Sequence, residues 1–210
     1  MTRLNDEQLN ALFNEPRTVN AFTEQPVTDE QLQKIYELAA MGPTAFNSQP
    51  LRITWVRSPH AKERLLGHLH EGNRASASQA PVNAILAFER NWQKRFTEFA
   101  PHAVAAQKFF EDEGERIPLG RLCAQVQAGY FITAVRALGL DAGPITGADF
   151  EAIAADAVLL GGQDQQPFLV VNIGYGLGPF REHGVRFSFE QTTLKDRGIF
   201  PSSQRVQLVS

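Results

Sequence analysis

The chain has 210 residues, 43% of them hydrophobic and 20% charged, the mix of an ordinary globular domain long enough to bury most of its apolar surface. Its 20 basic and 23 acidic residues leave a net charge of −3, which excludes the basic face that nucleic-acid binding needs but not a local basic pocket for one phosphate. A lone cysteine, Cys123, excludes an internal disulfide framework, and no run of about 18 apolar residues offers a membrane-spanning helix.

In chain order, Asn5 and Gln8 have capping-box spacing, which predicts a first helix over about residues 6–14, ended by Pro16. Thr28 and Gln31 repeat the signature. Leu32, Ile35, Tyr36 and Ala39 then carry a helical period up to Met41, and Gly42-Pro43 stops it. Residues 44–50 (TAFNSQP) read as a polar loop and 52–56 (RITWV) as a strand. Helices follow near 60–70 and 73–79, then a strand over 82–88 (VNAILAF) and a helix over 101–113. The longest helix is expected over 119–138, with Leu122, Cys123, Val126, Tyr130, Thr133 and Ala137 along one side and Gly139 at its C-cap. Residues 140–144 form a strand or turn, 149–154 a helix, and 168–173 (FLVVNI) a buried strand. Gly174, Gly176 and Gly178 open a loop, and 185–189 alternates like an edge strand. This order lacks the regular βαβ alternation of a doubly wound fold, and no linker interrupts it, so residues 1–210 read as one α/β-type domain.

Two loops carry the densest polar chemistry. Arg17-Thr18-Val19-Asn20 combines a guanidinium fork, a hydroxyl and an amide, which suits an anion; a solvated interhelix loop fits the same tetrapeptide. The loop from Gly42 to Pro50 is stiffened by two prolines and rich in donors and acceptors. It suits the edge of a planar heterocycle, or a plain turn between helix and strand. Gly174-Tyr175-Gly176-Leu177-Gly178 follows a strand, but its GxGxG spacing and the lack of an acidic residue about 20 positions on exclude a dinucleotide loop. His68 and His70, two apart on a helix, point to different faces and read as exposed side chains, not ligands. Cys123 reads as a buried core thiol. With no GxSxG, HExxH or CxxC, neither a metal site nor a catalytic acid, base or nucleophile of the chain's own is expected; an enzyme built this way leaves the chemistry to a cofactor.

Taken in order, RTVNAF (17–22), GPTAFNSQPLRI (42–53), APVNAI (80–85), RALGLDAGPITGAD (136–149), NIGYG (172–176) and VRFSFEQ (185–191) resemble the nitroreductase family. The likeness spans nearly the whole chain and is strongest to the malonic semialdehyde reductase branch associated with pyrimidine breakdown. It implies an α+β fold with a mostly antiparallel central sheet flanked by helices, and an interlocked homodimer with two sites at its interface. It also implies a noncovalently bound FMN. Arg17, Thr18, Val19 and Asn20 would hold its phosphate, ribityl chain and part of the ring, and Asn73 would lie near the pyrimidine edge. Ile145, Thr146 and Gly147 would form the loop over the ring near N5. Arg186 would meet the phosphate, and Pro43, Thr44, Asn47 and Gln49 would come from the partner subunit. Where many family members have Arg or Lys, this chain has Asn20, a departure that weakens stabilisation of a reduced, anionic flavin.

The activity so implied is hydride transfer from NADH or NADPH to FMN and on to a small electrophile, in turn through one pocket, which gives ping-pong kinetics. Malonic semialdehyde, a quinone and a nitroaromatic are the candidate substrates. The alternatives are a flavin-binding protein without turnover and a cofactor-free helical interaction module. No nucleic-acid or membrane partner is expected. The first residues, MTRLNDEQLNALF, lack the apolar core of a signal peptide, so the expected location is the cytoplasm.

Overall fold

Four strands form one antiparallel sheet in a computed structural model that describes residues 3–161, 164–178, 180 and 182–194. The strands are β1 (Leu51–Val56), β2 (Val82–Glu89), β3 (Asp141–Ile145) and β4 (Gln165–Gly174), in the order β1-β2-β4-β3. Every pairing is antiparallel, as the family resemblance implied. β2 is central and buried on both faces from Val82 to Phe88, which is why it is almost continuously apolar. Alternation then assigns its side chains to opposite layers. Ala84 and Leu86 join Val171 and Ile173 of β4 under α2 (Asp29–Ala39) and α6 (Glu113–Ala137), against Ile35, Phe131 and Val135. Ile85 and Val170 face the other way, onto Leu65 of α3 (Pro59–His68), Ala77 of α4 (Glu71–Gln79) and Ile153 of α7 (Phe150–Ala155).

The helix starts follow their caps. Asn5 and Thr28 form the expected capping boxes for α1 (Asp6–Leu9) and α2, and Asp112 caps α6. The first helix continues past Leu9 in wider turns to Asn14. The stretch 101–111 is helical, but wound more tightly than an α-helix, and follows two short turns that include α5 (Phe96–Phe99). It folds over a small aromatic core of Trp92, Phe96 and Phe110.

Three expectations need correction. The buried side of α6 is Cys123, Ala124, Gln127, Ala128, Phe131, Ala134 and Val135, whereas Leu122, Val126 and Tyr130 lie exposed. The helix carries apolar residues on two faces, and periodicity alone does not say which one meets the sheet. His68 and His70 do not share a helix, because the backbone turns extended at Leu69; His68 ends α3 and His70 precedes α4. Residues 185–189 form no strand. Ser188 caps a short helix, α9 (Phe189–Thr192), and exchanges hydrogen bonds with Gln191, so the local capping box overrides the alternating pattern. The chain divides into two compact units, Met1–Phe180, which contains the whole sheet, and Arg181–Ser210, which contains α9. Among the described residues no helix is long and apolar enough to cross a membrane.

Candidate functional site

Residues 18–20 run without helix or strand pairing, so successive side chains turn to opposite sides. Val19 packs into a small core with Phe22 and Ala80, which leaves Thr18 and Asn20 facing outward. The segment is pinned by backbone bonds from Thr23 N–H to Tyr175 O (2.8 Å) and from Leu177 N–H to Ala21 O (2.9 Å). The glycines of this region serve that close approach. A Cβ on Gly143 would stand 2.7 Å from Val19 O, and one on Gly176 would stand 2.8 Å from Asp141 Oδ2, which accepts the Gly176 N–H. The Gly174–Gly178 segment is thus a packing device for the 17–22 strip.

Thr18 and Asn20 form one wall of a cleft of about 270 Å³. Its other walls are Asn73 and Ser76 on α4, Gly143 to Ile145 on β3, and Asn172 on β4. Every lining side chain is uncharged. Behind it lies a buried amide pair, Asn83 and Asn172, register partners on β2 and β4. Asn83 Nδ2 donates to Asn172 Oδ1 (2.8 Å) and Ala77 O (3.0 Å), while Asn83 Oδ1 is buried without a partner. Sequence reasoning overlooked Ser76, Asn83 and Asn172. The signal was an asparagine inside each of two otherwise apolar strands, a pattern that a buried strand does not support without a polar purpose.

The structure brings Thr18, Val19, Asn20, Asn73 and Ile145 together at this cleft. Arg17 adjoins it, with its guanidinium turned back to donate to Asn14 O (2.8 Å) and to the Glu15 carbonyl. Asn73 has a second duty. Its Nδ2 (2.9 Å) and the His70 N–H (3.0 Å) both donate to Gly147 O, clamping the 145–149 turn onto the start of α4. A Cβ on Gly147 would meet Asn73 Nδ2 at 2.5 Å, so that glycine makes room for Asn73 and not for a ligand; Thr146 beside it is exposed.

Pro43, Thr44, Asn47 and Gln49 lie elsewhere, and none lines the cleft. They form a network of their own, in which Thr44 Oγ1 accepts the Gln49 N–H (3.2 Å), Gln49 Nε2 donates to Asn47 Oδ1 (3.1 Å) and Asn47 Nδ2 donates to Phe99 O (3.3 Å). Phe46, Asn47 and Gln49 have φ of 55°, 50° and 42°, strained for residues with a side chain and typical of functional loops. The Phe46 ring, set against Phe96 and Phe110 at 5.3 and 5.5 Å, holds that shape. Arg186 belongs to the second unit, where it donates to Gly184 O (2.9 Å).

His68 is half-buried and paired, not exposed. Its Nε2 donates to Asp156 Oδ2 (2.9 Å), with Arg64 Nη2 at 2.8 Å from the same oxygen. Asp156 also caps α8 (Ala157–Leu160) through the Val158 N–H (3.0 Å). The His68 hydrogen bond is the chief cause that holds the Asp156 carboxyl down at about 2, helped by Arg64 and Val158 and opposed by burial. This cluster ties α3 to α8 and does not line the cleft.

The donor set suits an uncharged, hydrogen-bonding ring with an anionic tail. Neither the Thr18 hydroxyl nor the Asn20 amide has a hydrogen-bond partner among the described residues, and both line the cleft, with Arg17 next to Thr18 in the chain. The class of protein so described is an α+β fold with an antiparallel sheet and a neutral, donor-lined cleft at one face. The nitroreductase family model matches residues 15–175, and the chain belongs to that family and is an oxidoreductase. It is 50% identical over 164 residues to a Streptomyces coelicolor protein named NADH dehydrogenase/NAD(P)H nitroreductase, covering 78% of this chain and 82% of that one. It is 46% identical over 182 residues to a Streptomyces griseus protein of the same name, covering 86% and 91%. Among solved structures, a nitroreductase from Exiguobacterium sibiricum in complex with FMN superposes with a TM-score of 0.78 at 17% identity, covering 93% of this chain and all of that one, a likeness of fold.

Proposed function

We propose that the cleft binds FMN noncovalently and that the chain is an NAD(P)H-dependent oxidoreductase of small electrophiles. The observation that carries this reading is the pair of unpartnered donors, Thr18 and Asn20, turned into an uncharged cleft beside Arg17. The names of the Streptomyces relatives and the FMN complex of the Exiguobacterium structure support it. Bound FMN supplies hydride transfer, from NADH or NADPH and then to the substrate. The chain's residues hold and shield it. Arg17 neutralises the phosphate, and Arg186 is assigned the same duty on the sequence likeness alone. Thr18, Asn20 and Ser76 donate to or accept from polar ring and ribityl atoms, and Asn73 fixes the 145–147 turn as a rigid wall. The test is the absorption spectrum of the purified protein, chromatography of the released flavin, and anaerobic titration with NADH and NADPH. FMN that bleaches with either donor is expected; FAD, or no flavin after reconstitution, overturns the reading.

The site is completed by a second copy, which brings Pro43, Thr44, Asn47 and Gln49 to the cleft of its partner. Two features support this. The strained 43–49 loop lines no part of its own chain's cleft, and Leu122, Val126 and Tyr130 expose an apolar face on α6. Malonic semialdehyde, reduced to 3-hydroxypropanoate, is the substrate that the sequence likeness favours, with a quinone or nitroaromatic as the broader alternative. The working compartment is the cytoplasm.

A further inference from the structure

A second hollow, of about 350 Å³, lies on the α2 and α6 side of the sheet, beside β1 and the 92–99 turns. It has no part in the cleft described above. Its walls are flat and apolar at Tyr36, Trp55 and Phe99, and cationic at Arg52 and Arg95. Gln49, from the strained loop, stands at its rim.

The charges in this hollow do not balance. Arg52 is partly buried and pairs with Glu89, and its Nη1 donates to Gln49 O (2.9 Å) and Leu51 O (2.8 Å). Burial first, and then the neighbouring Arg95, work against its cationic form, so the two guanidinium groups sense each other. Arg95 has no carboxylate partner among the described residues; its guanidinium rests 5.8 Å from the centre of the Phe99 ring. Two cations therefore face one carboxylate. Gln127 adds a second donor. It is 3% exposed, its Oε1 accepts the Leu51 N–H (3.1 Å), and its Nε2 has no partner among the described residues. An amide N–H open to the hollow and a guanidinium without a carboxylate partner, both lining it, together complement an anion's oxygens.

We propose that this hollow recognises the carboxylate of an anionic substrate with a flat or short carbon skeleton, with Arg95 as its charge partner and Gln127 as a second donor. This rests on the reading above that the 43–49 loop is delivered to the flavin of a partner subunit, because Gln49 joins that loop to the hollow. It narrows the substrate class to electrophiles that carry a carboxylate.

The test compares 4-nitrobenzoate with 4-nitrobenzamide, which match in shape and differ in charge. Dissociation constants are measured by equilibrium dialysis on the purified, oxidised protein at fixed ionic strength, without turnover. One charge-assisted contact at a partly exposed site predicts about tenfold tighter binding of the benzoate. The preference falls to within about threefold in Arg95→Gln and is partly restored in Arg95→Lys, at unchanged melting temperature. KM for the pair follows the same ratio. Equal binding of the two probes, or a preference that survives Arg95→Gln, overturns the proposal. Failure of the flavin reading is seen separately, as absence of a flavin spectrum or of bleaching by NADH, and the dialysis result stands independently of it.

Discussion

Asn20 carries no charge, and the whole cleft repeats the theme, since no lining side chain carries charge. A cation there stabilises the extra negative charge of a reduced flavin. Asn20→Lys is therefore expected to raise the two-electron midpoint potential by about 30 mV, a tenfold shift in the reduction equilibrium, read by spectroelectrochemistry. An unchanged or lowered potential would place the ring away from Asn20. Arg186→Ala tests the proposal that this residue meets the phosphate. Loss of a phosphate contact is expected to weaken FMN binding roughly 10- to 150-fold with little change in the melting curve; unchanged affinity removes Arg186 from the site. Asp156 governs stability instead of binding. Its carboxyl titrates at about 2 in the fold against an ordinary 3.8, so its contribution is fully present above pH 4 and is lost as pH falls towards 2. Asp156→Ala removes a helix cap and leaves Arg64 and half-buried His68 unpaired. A loss of roughly 3 kcal/mol in urea unfolding at pH 7 is expected, shrinking steadily below pH 4; a difference independent of pH would show that the charge plays no part.

At the scale of elements, α6 carries the most structural duty. It spans the sheet with one face and packs its N-terminal half on the aromatic core through Gly120. A Cβ there would stand 2.6 Å from Trp92 Nε1, whose N–H donates to Arg116 O at 3.0 Å. Gly120→Ala has a better helix propensity and still should destabilise, because overpacking costs about 1–3 kcal/mol where the neighbour is a buried ring. Denaturant midpoints with a shifted Trp92 emission are the expected signature, and a stabilised variant would contradict the packing. The same aromatic core sets the 44–49 loop through Phe46, and Phe99, on α5 with the core residue Phe96, lines the hollow. Its position is therefore felt at both proposed binding surfaces.

For the whole molecule, the two polar loops that flank α2 lie on different surfaces of one chain. The helix between them has 11 residues, a span of roughly 16 Å. In the proposed two-fold dimer the far loop of each copy meets the near loop of the other. The check uses Arg17→Ala and Asn47→Ala, made separately under conditions where each homodimer loses flavin-dependent activity. The two are then unfolded, mixed and refolded. In a shared site, every mixed dimer has one doubly damaged site and one native site, so activity returns. Mixed dimers without activity would confine the site to one chain.

Capping boxes at Asn5 and Thr28, the apolar run of β2 and the order of the polar loops were determined by sequence alone, because each rests on neighbours within a few residues. The family likeness likewise needed only ordered short segments, and it located Thr18, Asn20 and Asn73 at one cleft. Tertiary structure decided the rest. Which apolar face of α6 meets the sheet depends on β2 and β4, so Leu122, Val126 and Tyr130 could not be read as exposed from their period. The helix turn at Ser188 shows a local hydrogen-bond pair defeating an alternating pattern that had no strand to join. Asn83 and Asn172 stand 89 positions apart and meet only through strand register. Arg52 and Arg95 share a hollow only because β1 and the 92–99 turns fold side by side. Charge balance in a pocket is set by distance through space, and sequence spacing carries no record of it.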